Sequence, residues 1–430
     1  MATFKILSID GGGIRGIIPA FWLTSLESEL DANSGSTLHD AFDIFAGTST
    51  GSIIAAGLAI GKSADEIRKL YETKGSSIFS CPLLRNPLRY WGALRPAYSG
   101  AGLEKVLNSE FKTRKLGDVP KPKRLLIAAF RGGSRTLKLF DSADPLDQDY
   151  LLRDIVRGSC AAPTYLPAQN IEIAALNQLL LDGGLAANNP AALALAVAFK
   201  DGHLPEDVLL VSLGTGVSQR PISDTLGTKG GKVQWVKSIV EVVFDGSSSA
   251  NELLVQHVLP LGSYFRFQKR DLHADPALDR ADEAHLTSLQ SEAQQYLDQE
   301  STLFKRLVGA LKTPDPAPRH AFDGHWDSRY TWNEEGAQFT NDFAETVLLK
   351  VTGQHVAGET TESGAPYIVK GKIQGSDILG YTISRDKPFK IWTSFVLRMN
   401  MDSQTELAGH WVGTGSEVHT GEWKLTRPRR

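Results

Sequence analysis

The stretch Ala46-Gly47-Thr48-Ser49-Thr50-Gly51 decides how the rest of this chain is interpreted. It follows a short apolar run, residues 42–45, and precedes a longer one, residues 53–60. This order predicts a strand, a sharp turn and a helix, with Ser49 at the turn. The pattern G-x-S-x-G is typical of a nucleophile elbow, in which a strained backbone holds the serine hydroxyl clear of the chain. A glycine, serine and threonine loop without chemistry is the alternative.

The composition is that of an ordinary globular protein of 430 residues, with 41% hydrophobic residues, 22% charged residues and a net charge of −3. This charge does not favour a nucleic-acid polymer as partner. Cys81 and Cys160 are the two cysteines, which suits a reducing compartment. The chain runs from Met1 straight into an expected strand, so we predict no signal peptide. Its apolar runs are shorter than the ~20 residues of a membrane-spanning helix. We therefore expect a cytoplasmic protein.

A second glycine-rich loop, Asp10-Gly11-Gly12-Gly13-Ile14-Arg15-Gly16, lies between an expected strand at residues 4–9 and a helix. A dinucleotide-binding loop is one interpretation, but the next strand, residues 42–46, does not end in the acidic residue that would hold a ribose. No Gly-Lys-Ser/Thr follows the glycines, as a phosphate loop would require. The loop fits best as an oxyanion hole for Ser49, because parallel neighbouring strands bring both loops to one edge of the sheet.

A third corner follows an apolar run that ends at Asp182-Gly183-Gly184. Doubly wound sheets hold their ligands at such strand-to-loop corners, although a single Asp-Gly-Gly is usually only a turn. Asn189 and Pro190 are expected to cap the helix that comes next. Residues 208–213 repeat the pattern of a strand followed by glycine, so the sequence predicts an α/β fold with a sheet of five or six strands.

Residues 75–100 are rich in proline, glycine, arginine and aromatic side chains. This composition predicts an irregular flap. Its aromatic residues would either cover a lipid-accepting cleft or pack on the surface as an ordinary loop.

The composition changes at residues 312–322, where three prolines mark a boundary. Beyond it, short alternating runs separated by turn residues are typical of an antiparallel sheet or small barrel. These runs are residues 346–352, 367–373, 379–383, 389–397, 405–412 and 421–425. We predict two domains, an α/β domain at 1–315 and a β-rich accessory domain for sensing or docking at 316–430.

Five landmarks together resemble the patatin-like phospholipase family in order and spacing, over roughly residues 1–315. They are Asp10-Gly-Gly-Gly-Ile-Arg-Gly16, Gly47-Thr-Ser-Thr-Gly51, Ala161-Ala-Pro-Thr-Tyr165, Asp182-Gly-Gly184 with Ala187-Asn-Asn-Pro190, and Ser212-Leu-Gly-Thr215. The resemblance points to the bacterial branch of the family. It implies a three-layer fold with a mostly parallel central sheet, and an acyl hydrolase that uses a Ser/Asp dyad without a histidine.

By this resemblance Ser49 is the nucleophile and Asp182 is its base. The oxyanion hole is assigned to Gly11, Gly12, Gly13 and Arg15, and the supporting glycines are Gly16, Gly47, Gly51, Gly183 and Gly184. No histidine lies in or beside the three glycine loops, so an aspartate with a pKa raised by burial would have to activate the serine. The resemblance implies no metal and no other cofactor.

The predicted activity is phospholipase A-type hydrolysis of membrane phospholipid esters by a cytoplasmic enzyme acting at the membrane surface. One alternative is a signal-regulated effector of a bacterial anti-phage system, with a regulatory ligand or protein bound at residues 316–430. Another is a non-catalytic scaffold whose C-terminal domain is the binding part. The sequence makes no prediction of oligomeric state.

Overall fold

The computed structural model describes most of the chain up to residue 312 and the strands of the C-terminal region. The described residues are 4–78, 96–173, 176–217, 224–229, 231–260, 262–312, 324–334, 337–340, 345–352, 355–360, 367–374, 377–384, 391–399, 406–413 and 420–426. Most of the predicted flap, residues 79–95, lies outside this set. By its internal contacts the chain divides into two units, Ala2–Thr313 and Pro314–Arg430.

The first unit is built on an eight-stranded sheet. Its strands are β1 (Phe4–Ile9), β2 (Ile44–Thr48), β3 (Arg124–Arg131), β4 (Thr136–Asp141), β5 (Gln169–Ile173), β6 (Leu176–Asp182), β7 (Val208–Leu213) and β8 (Tyr264–Phe267). They lie in the order β5-β6-β3-β2-β1-β7-β8, and β4 also pairs with β3. The neighbouring strands β3-β2-β1-β7-β8 pair in parallel. The pairs β3 with β4, β3 with β6, and β6 with β5 are antiparallel.

This sheet has more strands than the five or six that the sequence predicts. The additional edge strand β5 is short, and Ile171 and Ile173 are its only apolar residues. Two apolar residues over five positions give too weak a pattern to separate an edge strand from a loop.

Helices cover both faces of the sheet. They are α1 (Ile17–Ser34), α2 (Leu38–Ala41), α3 (Thr50–Ala59), α4 (Ala64–Ile78), α5 (Ala101–Phe111), α6 (Leu152–Ser159), α7 (Gly184–Ala187), α8 (Ala191–Lys200), α9 (Asp224–Lys229), α10 (Lys232–Val258), α11 (Glu283–Gln299) and α12 (Ser301–Lys312). None of these described helices combines the length and the apolar character needed to cross a membrane.

The alternation of side chains along β1 shows how the three layers form. Leu7 points into a large core that includes residues of α1, α3 and α11, whereas Ile6 points into a smaller core with α8. Both side chains are fully buried, as expected for a central strand covered on two faces. The predicted three-layer α/β fold with a mostly parallel central sheet is therefore confirmed.

The second unit is a closed antiparallel barrel. Its strands are β9 (Gly324–Glu334), β10 (Ala337–Thr340), β11 (Glu345–Thr352), β12 (His355–Thr360), β13 (Tyr367–Gln374), β14 (Asp377–Ser384), β15 (Ile391–Met399), β16 (Glu406–Gly413) and β17 (Thr420–Thr426). Strand β9 and strands β11 to β17 form an eight-stranded ring, closed by the pairing of β17 with β9, while β10 pairs with β9 alone. Each predicted run overlaps one of these strands; β9, β10 and β12 are additional. The predicted β-rich, barrel-like C-terminal region is confirmed.

Inward-facing side chains fill the barrel. Trp326 is fully buried, and the rings of Phe395 and Trp423 meet edge to face with centroids 4.9 Å apart. The indole Nε1 of Trp423 donates to Ser328 Oγ at 2.9 Å, which satisfies its buried polar group. Among the described residues, this core consists of side chains of the barrel strands.

Because the barrel has its own core, we expect Trp326→Ala to destabilise it by about 3–5 kcal/mol. The α/β unit, whose cores consist of other residues, should keep its unfolding temperature. Calorimetry of the full chain should show one of two transitions shifted downwards. Ser394→Ala, at an exposed position on β15, is the control. A shift of both transitions together would contradict independent folding of the units.

Candidate active site

The turn that follows β2 holds Ser49 in a strained backbone conformation. Its φ is +53° and its ψ is −126°, a region that side-chain-bearing residues rarely adopt. The flanking glycines are required by close contacts, since a Cβ on Gly47 would lie 2.3 Å from the Gly51 carbonyl oxygen. A Cβ on Gly51 would lie 2.2 Å from the Ile9 carbonyl oxygen. The turn therefore has the geometry of a nucleophile elbow.

Hydrogen bonds on both sides hold the Ser49 backbone in place. Its amide donates to Ser159 Oγ at 2.9 Å, and the Ser159 hydroxyl donates in turn to the carbonyl of Ala128 on β3 at 2.6 Å. Its carbonyl accepts from the amide and hydroxyl of Ser52, at 2.9 and 2.6 Å. Ser159 was not among the predicted site residues, because a serine at the end of a helix carries no local signal of such a contact.

The structure brings Ser49 and Asp182 together, with Ser49 Oγ donating to Asp182 Oδ2 at 2.7 Å. Strand β2 ends at Thr48, opposite Ala128, whereas β3 continues to Arg131. Strand β6 runs back along this extension and ends at Asp182 beside the elbow. Asp182 thus reaches the site on an antiparallel strand, and not at the carboxyl end of a further parallel strand as a doubly wound sheet would place it.

The Asp182 carboxylate is completely buried and receives two hydrogen bonds. Besides the Ser49 hydroxyl, the amide of Gly184 donates to Oδ1 at 2.8 Å. Burial raises the pKa of Asp182 to about 7, and the two hydrogen bonds oppose this rise. A carboxylate with a pKa near neutrality is suited to accept a proton from a hydroxyl and to return it. Gly183 is also needed here, because a Cβ on it would lie 2.2 Å from the Ala128 carbonyl oxygen.

The glycine loop lies against the elbow. A Cβ on Gly11 would lie 3.0 Å from the Ser49 Cβ, so the backbone of the loop approaches the serine closely. The Gly11 carbonyl accepts from Thr215 Oγ1 at 2.8 Å and from Asn188 Nδ2 at 3.3 Å. These two side chains come from the loops after β7 and α7, and they fix the position of the glycines relative to Ser49.

The amides of this loop are not equivalent. The Gly11 amide donates to the carbonyl of Asn188 at 3.1 Å and is therefore already engaged. Within the described part of the chain, the amides of Gly12 and Gly13 donate to no acceptor. The three predicted oxyanion donors are thus reduced to two that are free to stabilise negative charge. Gly13 has a φ of +58°, and a Cβ there would lie 2.2 Å from the carbonyl oxygen of Leu278.

Arg15 is buried at the end of the same loop, and Gly16 after it packs closely on Tyr71 and Thr50. Burial lowers the pKa of Arg15, while Asp245 and Glu241 on α10 raise it. Its Nε has no hydrogen-bond partner among the described residues. Arg15 is therefore a desolvated cation beside the loop.

A buried ion pair fixes the start of the loop. Asp10 accepts from Arg266 Nη1 at 3.1 Å and from Nη2 at 2.7 Å, a bidentate arrangement. Arg266 also donates through Nε to Glu252 on α10 at 3.2 Å. Burial raises the pKa of Asp10, and Arg266 opposes this rise. These partners could not be found from the sequence, because Asp10 and Arg266 are separated by 256 positions.

An apolar pocket opens at Ser49. It is lined by Gly13, Ile14, Ser49, Thr50, Ile53, Tyr71, Ile78, Leu103, Cys160, Ala162, Tyr165, Leu166, Phe244 and Leu278. A pocket whose lining side chains are mostly apolar suits an acyl chain whose ester carbonyl lies at the serine. The described residues contain no group of three or more His, Cys, Asp or Glu side chains that could hold a metal ion.

One side of the pocket is formed by a loop that follows β8. The carbonyl of Leu278 in this loop accepts from the Ile14 amide at 2.8 Å. The next residue, Asp279, accepts from the hydroxyl of Tyr98 at 2.7 Å, and the Tyr98 amide donates to the Tyr165 carbonyl at 2.9 Å. Tyr98 lies in the predicted flap; it is not among the residues that line the pocket, but it joins the loop after β8 to the backbone of the lining residue Tyr165.

Comparison with known proteins gives the class of this α/β protein. The model of the patatin-like phospholipase family matches residues 7–195. Patatin-like protein 1 of Oryza sativa subsp. indica is 31% identical over 315 residues, which cover 63% of this chain and 75% of that protein. Two proteins named cGAMP-activated phospholipase are each 29% identical to this chain. The one from Pseudomonas aeruginosa aligns with 60% of this chain and 74% of its own length, and the one from Vibrio cholerae with 72% and 95%.

The chain therefore belongs to the patatin-like phospholipase family, which confirms the resemblance that the motifs predict. Membership supports lipid hydrolase activity for this protein.

The raised pKa of Asp182 has a consequence for stability. This pKa is about 7 in the folded protein, compared with 3.8 for an ordinary aspartate. Between these two pH values the native state therefore binds more protons than the unfolded state. Stability from this group therefore falls as the pH rises through 7. We expect Asp182→Asn to raise the unfolding temperature of the α/β unit more at pH 8 than at pH 5. The exposed Asp298→Asn on α11 is the control. A gain independent of pH would contradict the raised pKa.

Proposed function

We propose that this protein is a phospholipase A-type acyl hydrolase of membrane phospholipids, with Ser49 as nucleophile and Asp182 as base. The observation that carries the proposal is the 2.7 Å hydrogen bond from Ser49 Oγ to a buried carboxylate at the mouth of an apolar pocket. The names of the phospholipase relatives support the substrate class. The enzyme would work in the cytoplasm, at the membrane surface.

In the first half-reaction, ionised Asp182 takes the hydroxyl proton while Ser49 Oγ attacks the ester carbonyl carbon. The amides of Gly12 and Gly13 stabilise the oxyanion, and each such donor contributes on the order of 3 kcal/mol. As the carbonyl reforms, protonated Asp182 gives the proton to the departing alkoxide, and lysophospholipid leaves. A water molecule then attacks the acyl-serine and gives a proton to Asp182. Asp182 returns this proton to Ser49 Oγ as the fatty acid leaves, which restores the starting state.

Asp182 takes the role that a histidine has in a triad. Among the described residues that line the pocket there is no histidine. The carboxylate can replace it because burial brings its pKa within reach of neutral pH, where general-base assistance is worth about 10²- to 10⁴-fold.

We expect Ser49→Ala and Asp182→Ala each to lower kcat for phospholipid hydrolysis by at least about a hundredfold. The double variant should be hardly slower, since both residues act in one proton transfer. Mass spectrometry of the fatty acid and lysolipid released from phospholipid vesicles provides the measurement.

Ser109→Ala and Asp298→Ala, at exposed positions on α5 and α11, are the matched controls. Retention of more than about a tenth of kcat by Asp182→Ala, a smaller loss than removal of a general base gives, would contradict the role of Asp182.

A regulated form of the same activity is a second candidate. It is favoured by the names of the two cGAMP-activated relatives and by the presence of a separate barrel. As an effector, the protein would remain slow until a regulatory ligand binds. Fatty acid release measured with and without added cGAMP tests this: we expect faster release with cGAMP. Equal rates would oppose regulation by this ligand while leaving the hydrolase proposal in place.

A further inference from the structure

The outer face of the barrel carries exposed apolar side chains on three neighbouring strands, β14, β15 and β16. They are Leu379, Tyr381, Val396 and Val412, with exposed fractions of 40%, 38%, 46% and 44%. The alternate positions on these strands, such as Ile378 and Phe395, face the barrel core and are buried. The exposed residues are therefore not part of the core, and their apolar character requires another explanation.

The strand register makes these four side chains one continuous patch, which we call the barrel patch. Leu379 on β14 lies directly opposite Val396 on β15. Tyr381 lies opposite Ser394, and Ser394 lies opposite Val412 on β16. Side chains opposite one another on one face have Cβ atoms about 4.5–5.5 Å apart, so they contact each other across the strands.

Lysines border the barrel patch along β13. Lys372 lies opposite Leu379, and Lys370, which is exposed, lies opposite Tyr381. Long lysine side chains beside an apolar surface extend their charged ends towards the polar layer above it.

The other border carries groups of both kinds, since Glu422 on β17 lies opposite His410. His410 on β16 lies opposite Val396. Arg398, two residues beyond Val396, is exposed and forms an ion pair with Asp377 at 2.7 Å, so the nearby carboxylate is neutralised. The apolar side chains are thus bordered by two lysines on the β13 side and by an ion pair on the other.

We propose that the barrel patch docks this protein on an anionic lipid bilayer. Valine, leucine and tyrosine side chains would enter the interfacial layer, where tyrosine is favoured, while Lys370 and Lys372 contact anionic headgroups. The lysines of the β13 border complement anionic headgroups beside an apolar layer, which favours an anionic bilayer as the occupant. The proposal extends the proposed function, because it names the surface that brings the active site to its lipid substrate, but docking itself requires no catalysis.

The test uses the full chain carrying Ser49→Ala, so that no products alter the vesicles. We expect it to co-sediment with phosphatidylcholine vesicles that contain phosphatidylglycerol. Replacing all four residues of the barrel patch by serine should lower the bound fraction at least about tenfold, since binding scales with the apolar area inserted. Lys370→Glu with Lys372→Glu should abolish the preference for phosphatidylglycerol.

The control is Leu348→Ser, at an outward position on β11, which β12 and β13 separate from the barrel patch. The fraction of this control variant that co-sediments with vesicles should equal that of the chain with an unaltered barrel. Circular dichroism checks that each variant is folded; if the serine variant unfolds, the lysine pair still decides the question. Equal vesicle binding by the patch and control variants would overturn the proposal, as would no binding to anionic vesicles at all.

A soluble short-chain ester separates this proposal from the proposed function. With Ser49 intact, the patch variants should hydrolyse this ester at the unaltered rate while losing attack on vesicles, which supports docking. Equal attack on vesicles by these variants and the unaltered chain would overturn docking. Absence of ester hydrolysis in the unaltered chain would contradict the proposed function alone.

Discussion

The burial of the Asp182 carboxylate is the constraint on which the rest of the site depends. A carboxylate without exposed surface requires hydrogen-bond donors, and here they are the Ser49 hydroxyl and the Gly184 amide. Both donors are in place only because β6 ends beside the elbow and Gly183 lets the chain pass close to Ala128 on β3. The sheet therefore determines the proton affinity of the group through its strand order and register.

The elbow and the strand patterns could be predicted because they are local. A glycine on each side of Ser49 and the apolar runs around it lie within a few residues, and the strained φ of +53° follows from that spacing. Six of the nine strands of the C-terminal unit were predictable from alternation for the same reason. Alternation could not decide between an open sheet and a closed ring. The pairing of β17 with β9 that closes the ring joins segments about a hundred residues apart, and no local pattern encodes it.

The contacts that determine which groups of the site are free join residues far apart in the sequence. The commitment of the Gly11 amide to Asn188, 177 positions away, leaves two donors where the motif suggests three. The pairing of β6 with β3 that brings Asp182 to the site also joins residues far apart in sequence. The same is true of the ion pair between Arg266 and Asp10 in the glycine loop. A motif identifies which residue types are present, but only the folded chain determines which of their groups remain free.

Closure of the barrel limits the ways in which this unit could bind a partner. Proteins that recruit an extended peptide often do so by adding a strand to an open sheet edge. The eight ring strands each have a partner on both sides, so among the described strands of the barrel unit only β10, paired with β9 alone, offers an unpaired backbone edge. Recognition by the rest of the ring must rely on side chains, whose identity can change without altering backbone pairing. The outward side chains of such a barrel can therefore change by surface substitution while its fold is kept.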